Sequence, residues 1–331
     1  MVMTFNKAGL YELFSHQHSY FKWLYQIVSH FYHRFTAFQW NQLKDLRLAT
    51  FPPSKTIAFN SDHLKLVGDF YSPKGKSKAE TILLLHGSSI FGRKLSLIQA
   101  LAGEFQRQGY AVLTFDLRGY GESDDPQPNT PEAFNFAQDV RSAIDWLSRH
   151  EPEHSKQIYV LGHSFGGAVA FAAQAADSRV EKIISFGPPR RLSERFLDPE
   201  AREKQKLLVR WQADMQLNEP LSFEVWHQVL QPLNIENYAQ YFATPGHLPV
   251  FLIDAEQEPE ADLLFLRNFY QGTVPPFEYW TVPQTDHYLG TGFLLGLPCY
   301  NQSTVQMFVR RVSQWLQQTH ELKKNVSKQI S

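Results

Sequence analysis

Cysteine is nearly absent from this chain of 331 residues: Cys299 stands alone. No internal disulfide can form, which suits a reducing compartment, and with no cysteine motif around it the thiol reads as structural or incidental. A charge excess is missing too. Lys and Arg number 32 against 33 Asp and Glu, a formal net charge of -1, so nothing in the total draws the chain to nucleic acid or to an anionic membrane. The N-terminus lacks a cationic start followed by an unbroken apolar run and a small-residue cleavage site, so no signal peptide is expected. No stretch reaches the roughly 20 consecutive apolar residues of a membrane-spanning helix. These absences point to a soluble, cytoplasmic protein whose partner is a small molecule.

What is present is apolar and aromatic. At 43% hydrophobic and 14% aromatic residues the chain can bury a large core, and a single catalytic domain with appendages is expected. Residues 1–50 read as a helical extension. Within it Tyr20, Phe21, Leu24, Ile27, Val28, Phe31, Tyr32, Phe35 and Phe38 share one face at about 100° per residue, with Lys22, Gln26, Ser29 and His33 opposite. Such a face must be covered by the body of the protein, by a second subunit in a homodimer, or by peripheral contact with a membrane; the scarcity of basic residues favours protein. His16, His18, His30 and His33 lie in this region without a carboxylate or cysteine partner, and read as polar-face histidines, not metal ligands.

From Thr56 short extended runs take over. "KTIAFNSDHLKLVGDFYSP" predicts two antiparallel strands turning at Asn60-Ser61-Asp62. "TILLLHG", "YAVLTFD", "QIYVLG", "VEKIISFG", "PVFLID" and "FEYWTV" predict further strands, with helical periodicity between them in "SLIQALAGEFQRQG", "EAFNFAQDVRSAIDWLSRH" and the closing "STVQMFVRRVSQWLQQTHELKK". Apolar strands alternating with helices predict an α/β fold: a mostly parallel sheet covered on both faces, with ligands at the carboxyl ends of its strands.

After "QIYVLG" comes Gly162-His163-Ser164-Phe165-Gly166-Gly167, a G-x-S-x-G between strand and helix. Holding a serine Oγ clear of the backbone at such a turn requires a strained φ/ψ, and side chains at the flanking positions would collide. Glycines 162 and 166 remove that collision. The following Ala168–Ala176 is rich in alanine, as close packing on the central strands requires, and its N-terminus faces the site.

In these motifs the chain resembles the α/β-hydrolase superfamily, particularly its esterase, lipase and serine-aminopeptidase-like branches, over about residues 56 to 320. "LLLHGSS" resembles the family's strand followed by His-Gly. The resemblance implies an oxyanion hole made by the Ser88 N–H, with Ser89 as runner-up, and by the Phe165 N–H; His86 then braces the loop. "FDLRGYGES" matches the D-x-R-G-x-G-x-S turn, where Asp116 and Arg118 read as scaffolding.

A serine hydroxyl needs a base, and the base needs a group to orient it. The family order is serine, acid, histidine, and "FEYWTVPQTDHYLG" supplies His287 after the last strand. "LPVFLIDAEQEPEAD" departs from the family twice, with Ala255 where glycine is usual and Glu258 where the acid is usually aspartate. Glu258 is the preferred acid, with Asp254, Glu256 and Asp262 still in play; Asp286 reads as a turn residue.

A serine at this position excludes the branches that use an aspartate nucleophile there, the haloalkane dehalogenases and epoxide hydrolases. The resemblance implies acyl transfer through an acyl-enzyme, with no metal or organic cofactor. The expected organisation is a core of residues 51–187 and 249–325 and a helical cap at 188–248, a connection too long to be plain. At its start "GPPRRLSERF" places Arg190, Arg191 and Arg195 near the carboxyl end of a central strand, either to grip an anionic substrate group or as solvated charges. Carboxylic-ester hydrolysis leads; an acyltransferase, thioesterase or amidase/peptidase on the same residues, and a noncatalytic binding protein of this fold, are the alternatives.

Overall fold

The computed structural model describes residues 46–48, 53–75, 77–197, 211–212, 214–215, 217, 220–294 and 297–330. The aromatic face at 20–38 and the four histidines beside it lie outside these residues. In chain order the strands are β1 (Leu46–Leu48), β2 (Lys55–Ser61), β3 (Leu64–Tyr71), β4 (Glu80–Leu85), β5 (Ala111–Phe115), β6 (Gln157–His163), β7 (Val180–Phe186), β8 (Val250–Ala255), β9 (Phe277–Val282), β10 (Gly292–Leu294) and β11 (Leu297–Asn301). The helices are α1 (Ser96–Arg107), α2 (Phe136–His150), α3 (Phe165–Ala176), α4 (Phe223–Leu230), α5 (Ala239–Phe242), α6 (Glu260–Gln271) and α7 (Gln302–Ile330).

Eight strands form one sheet in the order β2-β3-β5-β4-β6-β7-β8-β9. β2 pairs antiparallel with β3 and β3 with β5, while every pairing from β5 through β4 to β9 is parallel. The burial of each strand follows from its place. β2, at the edge, alternates exposed and buried residues, and β4, β5 and β8 are apolar runs covered on both faces. Ile82, Leu84, Val112, Ile184 and Phe251 meet Leu101 and Phe105 of α1 and Phe308 and Trp315 of α7. Leu83, Leu85, Leu113, Val160 and Ile183 face the other way, onto Val140 and Ile144 of α2 and the alanines of α3. This is the α/β-hydrolase architecture. The chain leaves β4 toward β5 and then returns past β4 to β6, so the strand order reverses between β4 and β6, where the carboxyl ends open a crevice.

Two features differ from the sequence expectation. A second sheet, β1-β11-β10, joins Leu46–Leu48 to the segment after His287, with Cys299 buried in β11; strands this short leave no readable period. Most of the insert's first helical pattern lies outside the described residues. Its described part carries 3-10 turns, α4 and α5, and it buries Phe196, Trp211, Met215 and Trp226 in the core of the α2/α3 face. Among the described residues, no helix is long and apolar enough to cross a membrane.

Buried charge ties the loops at the crevice together. Arg93, 1% exposed, donates from Nε to Asp69 at 2.9 Å, from Nη1 to Asp116, and from Nη2 to Glu122 at 2.6 Å. Asp116 also accepts the backbone N–H groups of Arg93 and Glu122 at 2.6 and 2.9 Å. Arg118 is clamped by Asp139, by the Ala133 carbonyl and by Ser61. Arg93→Ala would leave the Asp69 and Asp116 carboxylates buried without their countercharge, and is expected to lower the unfolding free energy by about 3–5 kcal/mol in urea denaturation; a loss below 1 kcal/mol would contradict this.

Candidate active site

β6 ends at His163 and α3 begins at Phe165, leaving Ser164 alone in the turn with φ 52° and ψ −118°. A side chain rarely tolerates such a backbone, and the neighbours show why it persists. A Cβ on Gly162 would stand 2.0 Å from the Gly166 carbonyl oxygen, and one on Gly166 would stand 2.6 Å from that of His86. Only glycine at both positions lets strand, turn and helix approach this closely. The Ser164 N–H donates to the Phe186 carbonyl on β7 at 2.7 Å, and the Ser164 carbonyl accepts from the Gly167 N–H at 2.9 Å.

His287 lies in the turn following β9, and its Nδ1–H donates to Oε1 of Glu258, which sits between β8 and α6. The ring is held from two further sides. His163 donates from Nε2 to the His287 carbonyl at 2.8 Å, with its ring 4.6 Å away. Gly187, at φ +59°, passes so close that a Cβ there would be 2.8 Å from His287 Cε1.

The other carboxylates are engaged elsewhere. Asp254, buried at the cavity wall, accepts from the Tyr279 hydroxyl and is pushed above the usual carboxylate range by burial. Glu256 accepts the Gln284 N–H at 2.6 Å, and Asp262 pairs with Arg190. Asp286 accepts from the Tyr288 and Gly290 N–H groups, as a turn residue does.

The loop after β4 lies against the elbow: a Cβ on Gly87 would be 3.0 Å from that of Ser164. His86 braces it. The Leu117 N–H donates to His86 Nε2 at 3.1 Å and His86 Nδ1–H donates to the Gly87 carbonyl at 2.8 Å, a pairing that requires the neutral ring. Burial pushes the His86 pKa down, in agreement. The Ser89 hydroxyl accepts from the Phe91 N–H at 3.2 Å, whereas Ser88 opens toward the crevice.

Ser164, His287, Glu258, Ser88 and Phe165 line one cavity of about 330 Å³, walled by Leu95, Trp211, Leu263 and Leu266. Arg195 of the insert reaches it. The outcome for Arg190 and Arg191 is different: Asp262 holds the first, and the second, 63% exposed, lies 3.5 Å from Glu194. Sequence reasoning assigned no role to His163, Gly187, Trp211 or Asp214. The first two were visible as members of motifs; the last two come to the cavity only through the insert's packing. The one metal-type cluster among the described residues, Glu151, Glu153 and His154, precedes β6, whose other end carries Ser164. With Nδ1 anchored on a carboxylate, an imidazole keeps Nε2 available to take a proton, the arrangement that activates a serine.

The chain is similar to known proteins over part of its length. Residues 76–238 match the family model for serine aminopeptidase, S33. An uncharacterised 31.7 kDa protein of Escherichia coli, from the traX-finO intergenic region, is 36% identical over 116 residues, 35% of this chain and 40% of that protein. A thiohydrolase of Aspergillus aculeatus is 32% identical over 127 residues, 38% of this chain and 39% of that one. The chain thus spans about 40% of the length of these curated relatives. A solved esterase of Pyrococcus furiosus superposes with a TM-score of 0.56 at 21% identity, covering 81% of this chain and 91% of the esterase.

Gly187→Ala is expected to shift the His287 ring. An ester-hydrolysis assay should find kcat/KM reduced by about 100-fold, with the far-ultraviolet circular dichroism unchanged; full activity in the folded variant would show that the close approach has no consequence.

Proposed function

The chain belongs to the α/β-hydrolase superfamily, and from that premise we propose that it hydrolyses a carboxylic ester of small or medium size through an acyl-enzyme on Ser164. The observation that carries this reading is the contact of Glu258 with His287 Nδ1 in the same cavity as a serine at positive φ. Ser164 Oγ attacks the carbonyl carbon while His287 Nε2 takes the hydroxyl proton. The Ser88 and Phe165 N–H groups receive the charge that develops on the carbonyl oxygen; each such donor is worth about 3 kcal/mol of barrier. The proton then passes to the leaving alcohol, and a water, deprotonated by the same imidazole, releases the acid and restores Ser164. Glu258 holds the ring in the tautomer this requires and stabilises the imidazolium. The chemistry needs no metal or organic cofactor.

In this reading residues 51–187 and 249–325 are the catalytic core, and 188–248 form a cap that sets the acyl pocket with Trp211 and keeps water out. Arg195, which lines the cavity, replaces Arg190 and Arg191 as the cation that meets an acidic substrate group. A thioester is the second candidate for the scissile bond, supported by the thiohydrolase relative.

Steady-state kinetics on p-nitrophenyl esters from acetate to decanoate, run beside an acyl thioester, test the assignment. Ser164→Ala and His287→Ala should abolish measurable turnover, and Glu258→Ala should lower kcat by roughly 10⁴-fold. Wild-type rates in Glu258→Ala would remove that residue from the mechanism, and preference for the thioester would move the second reading to the front.

A further inference from the structure

One segment of the insert meets both loops that carry the proposed oxyanion donors. Residues 211, 212, 214 and 215 are helical, and three of them grip the site at different points. The Trp211 ring meets Phe165 edge-on, with centroids 5.1 Å apart. Met215 is fully buried against the turn after β5, where a Cβ on Gly119 would stand 2.6 Å from its Cε. Between them, Asp214 lines the cavity and its Oδ2 accepts from the Ser88 hydroxyl at 3.1 Å. Ser88 Oγ in turn accepts from the Tyr120 hydroxyl at 3.2 Å.

Tyr120 anchors this chain of hydrogen bonds. Its ring is fully buried, edge-on to His86 at 5.1 Å and 6.1 Å from Phe165, so it touches both loops that carry the donors. Burial and the nearby Asp214 carboxylate push its hydroxyl pKa far up, so it stays a donor. The Ser88 side chain is therefore held at both ends, its oxygen by the core and its proton by the insert.

We propose that Asp214 is a positioning residue for acyl transfer: through the Ser88 hydroxyl it fixes the loop whose Ser88 N–H meets the oxyanion, so that the insert completes the oxyanion hole. This inference rests on the hydrolase reading above. A carboxylate so near a developing negative charge opposes the reaction by its charge, so its use lies in accepting the hydrogen bond. An amide oxygen also accepts this hydrogen bond, less strongly than a carboxylate but without its charge. Asp214→Asn should thus retain the function that Asp214→Ala loses, whereas a residue binding a cationic substrate group would lose it in both variants.

The test is ester kinetics on full-length wild type, Asp214→Ala, Asp214→Asn, Ser88→Ala and the Asp214→Ala/Ser88→Ala double variant, with fluorophosphonate labelling of each. The expected result is a kcat lowered roughly 10- to 100-fold in Asp214→Ala with KM within about two-fold. Asp214→Asn should recover most of the loss, and the double variant should be no worse than the poorer single variant, because both cut one chain. A change in KM alone, an asparagine variant as poor as the alanine one, or additive losses would overturn the proposal. Wild type that neither labels nor turns over would refute the hydrolase reading itself, and this one with it.

Discussion

The site depends on one close approach. Where β6 passes into α3, the backbone of Gly162 runs against that of Gly166, and Gly166 against the carbonyl oxygens that end β4. Ser164 is left at a φ of 52°, a conformation that costs a non-glycine residue roughly 1–2 kcal/mol. The surrounding sheet holds it there. β7 accepts the Ser164 N–H, and the alanine face of α3 is buried along the strands on either side. The strain is thus local, while the packing that maintains it is spread over the whole central sheet. A serine that lines the cavity at the reversal of the strand order is the result.

Around this point polar groups with little freedom of their own fix the loops. Neutral His86 links the turn after β4 to the one after β5, and Arg93 ties both to β3 through Asp116 and Asp69. His163, within the elbow motif, holds the backbone of His287, which its side chain could not reach if the last turn were placed elsewhere. Each bond is modest in isolation, but a buried partner left unpaired is costly, so these contacts hold the loops to one another.

Much of this was legible in the sequence. The parallel strands read as largely apolar runs, because strands covered on both faces are mostly apolar, and G-x-S-x-G announced its turn because only glycine permits it. The acid was less legible. Five carboxylates lie within residues 254–262 with little in the sequence to tell them apart, and it takes the path of the β8–α6 turn to bring Glu258, and not Asp254, to the imidazole. For Arg190 the sequence left open a substrate-binding cation or a solvated charge, because its partner Asp262 is 72 residues away. The same reason hid Asp214, which meets Ser88 across 126 residues; contacts made by an insert folding back leave no local pattern. The β1-β11-β10 sheet was missed because three- and five-residue strands carry no period.

The central claim is that the elbow carries a working nucleophile. Intact-mass spectrometry of the folded protein treated with a fluorophosphonate, followed by peptide mapping, addresses it directly. The account predicts one adduct per chain, mapped to Ser164 and lost in Ser164→Ala. Folded wild-type protein that takes up no label, or takes it up at another residue, would contradict it.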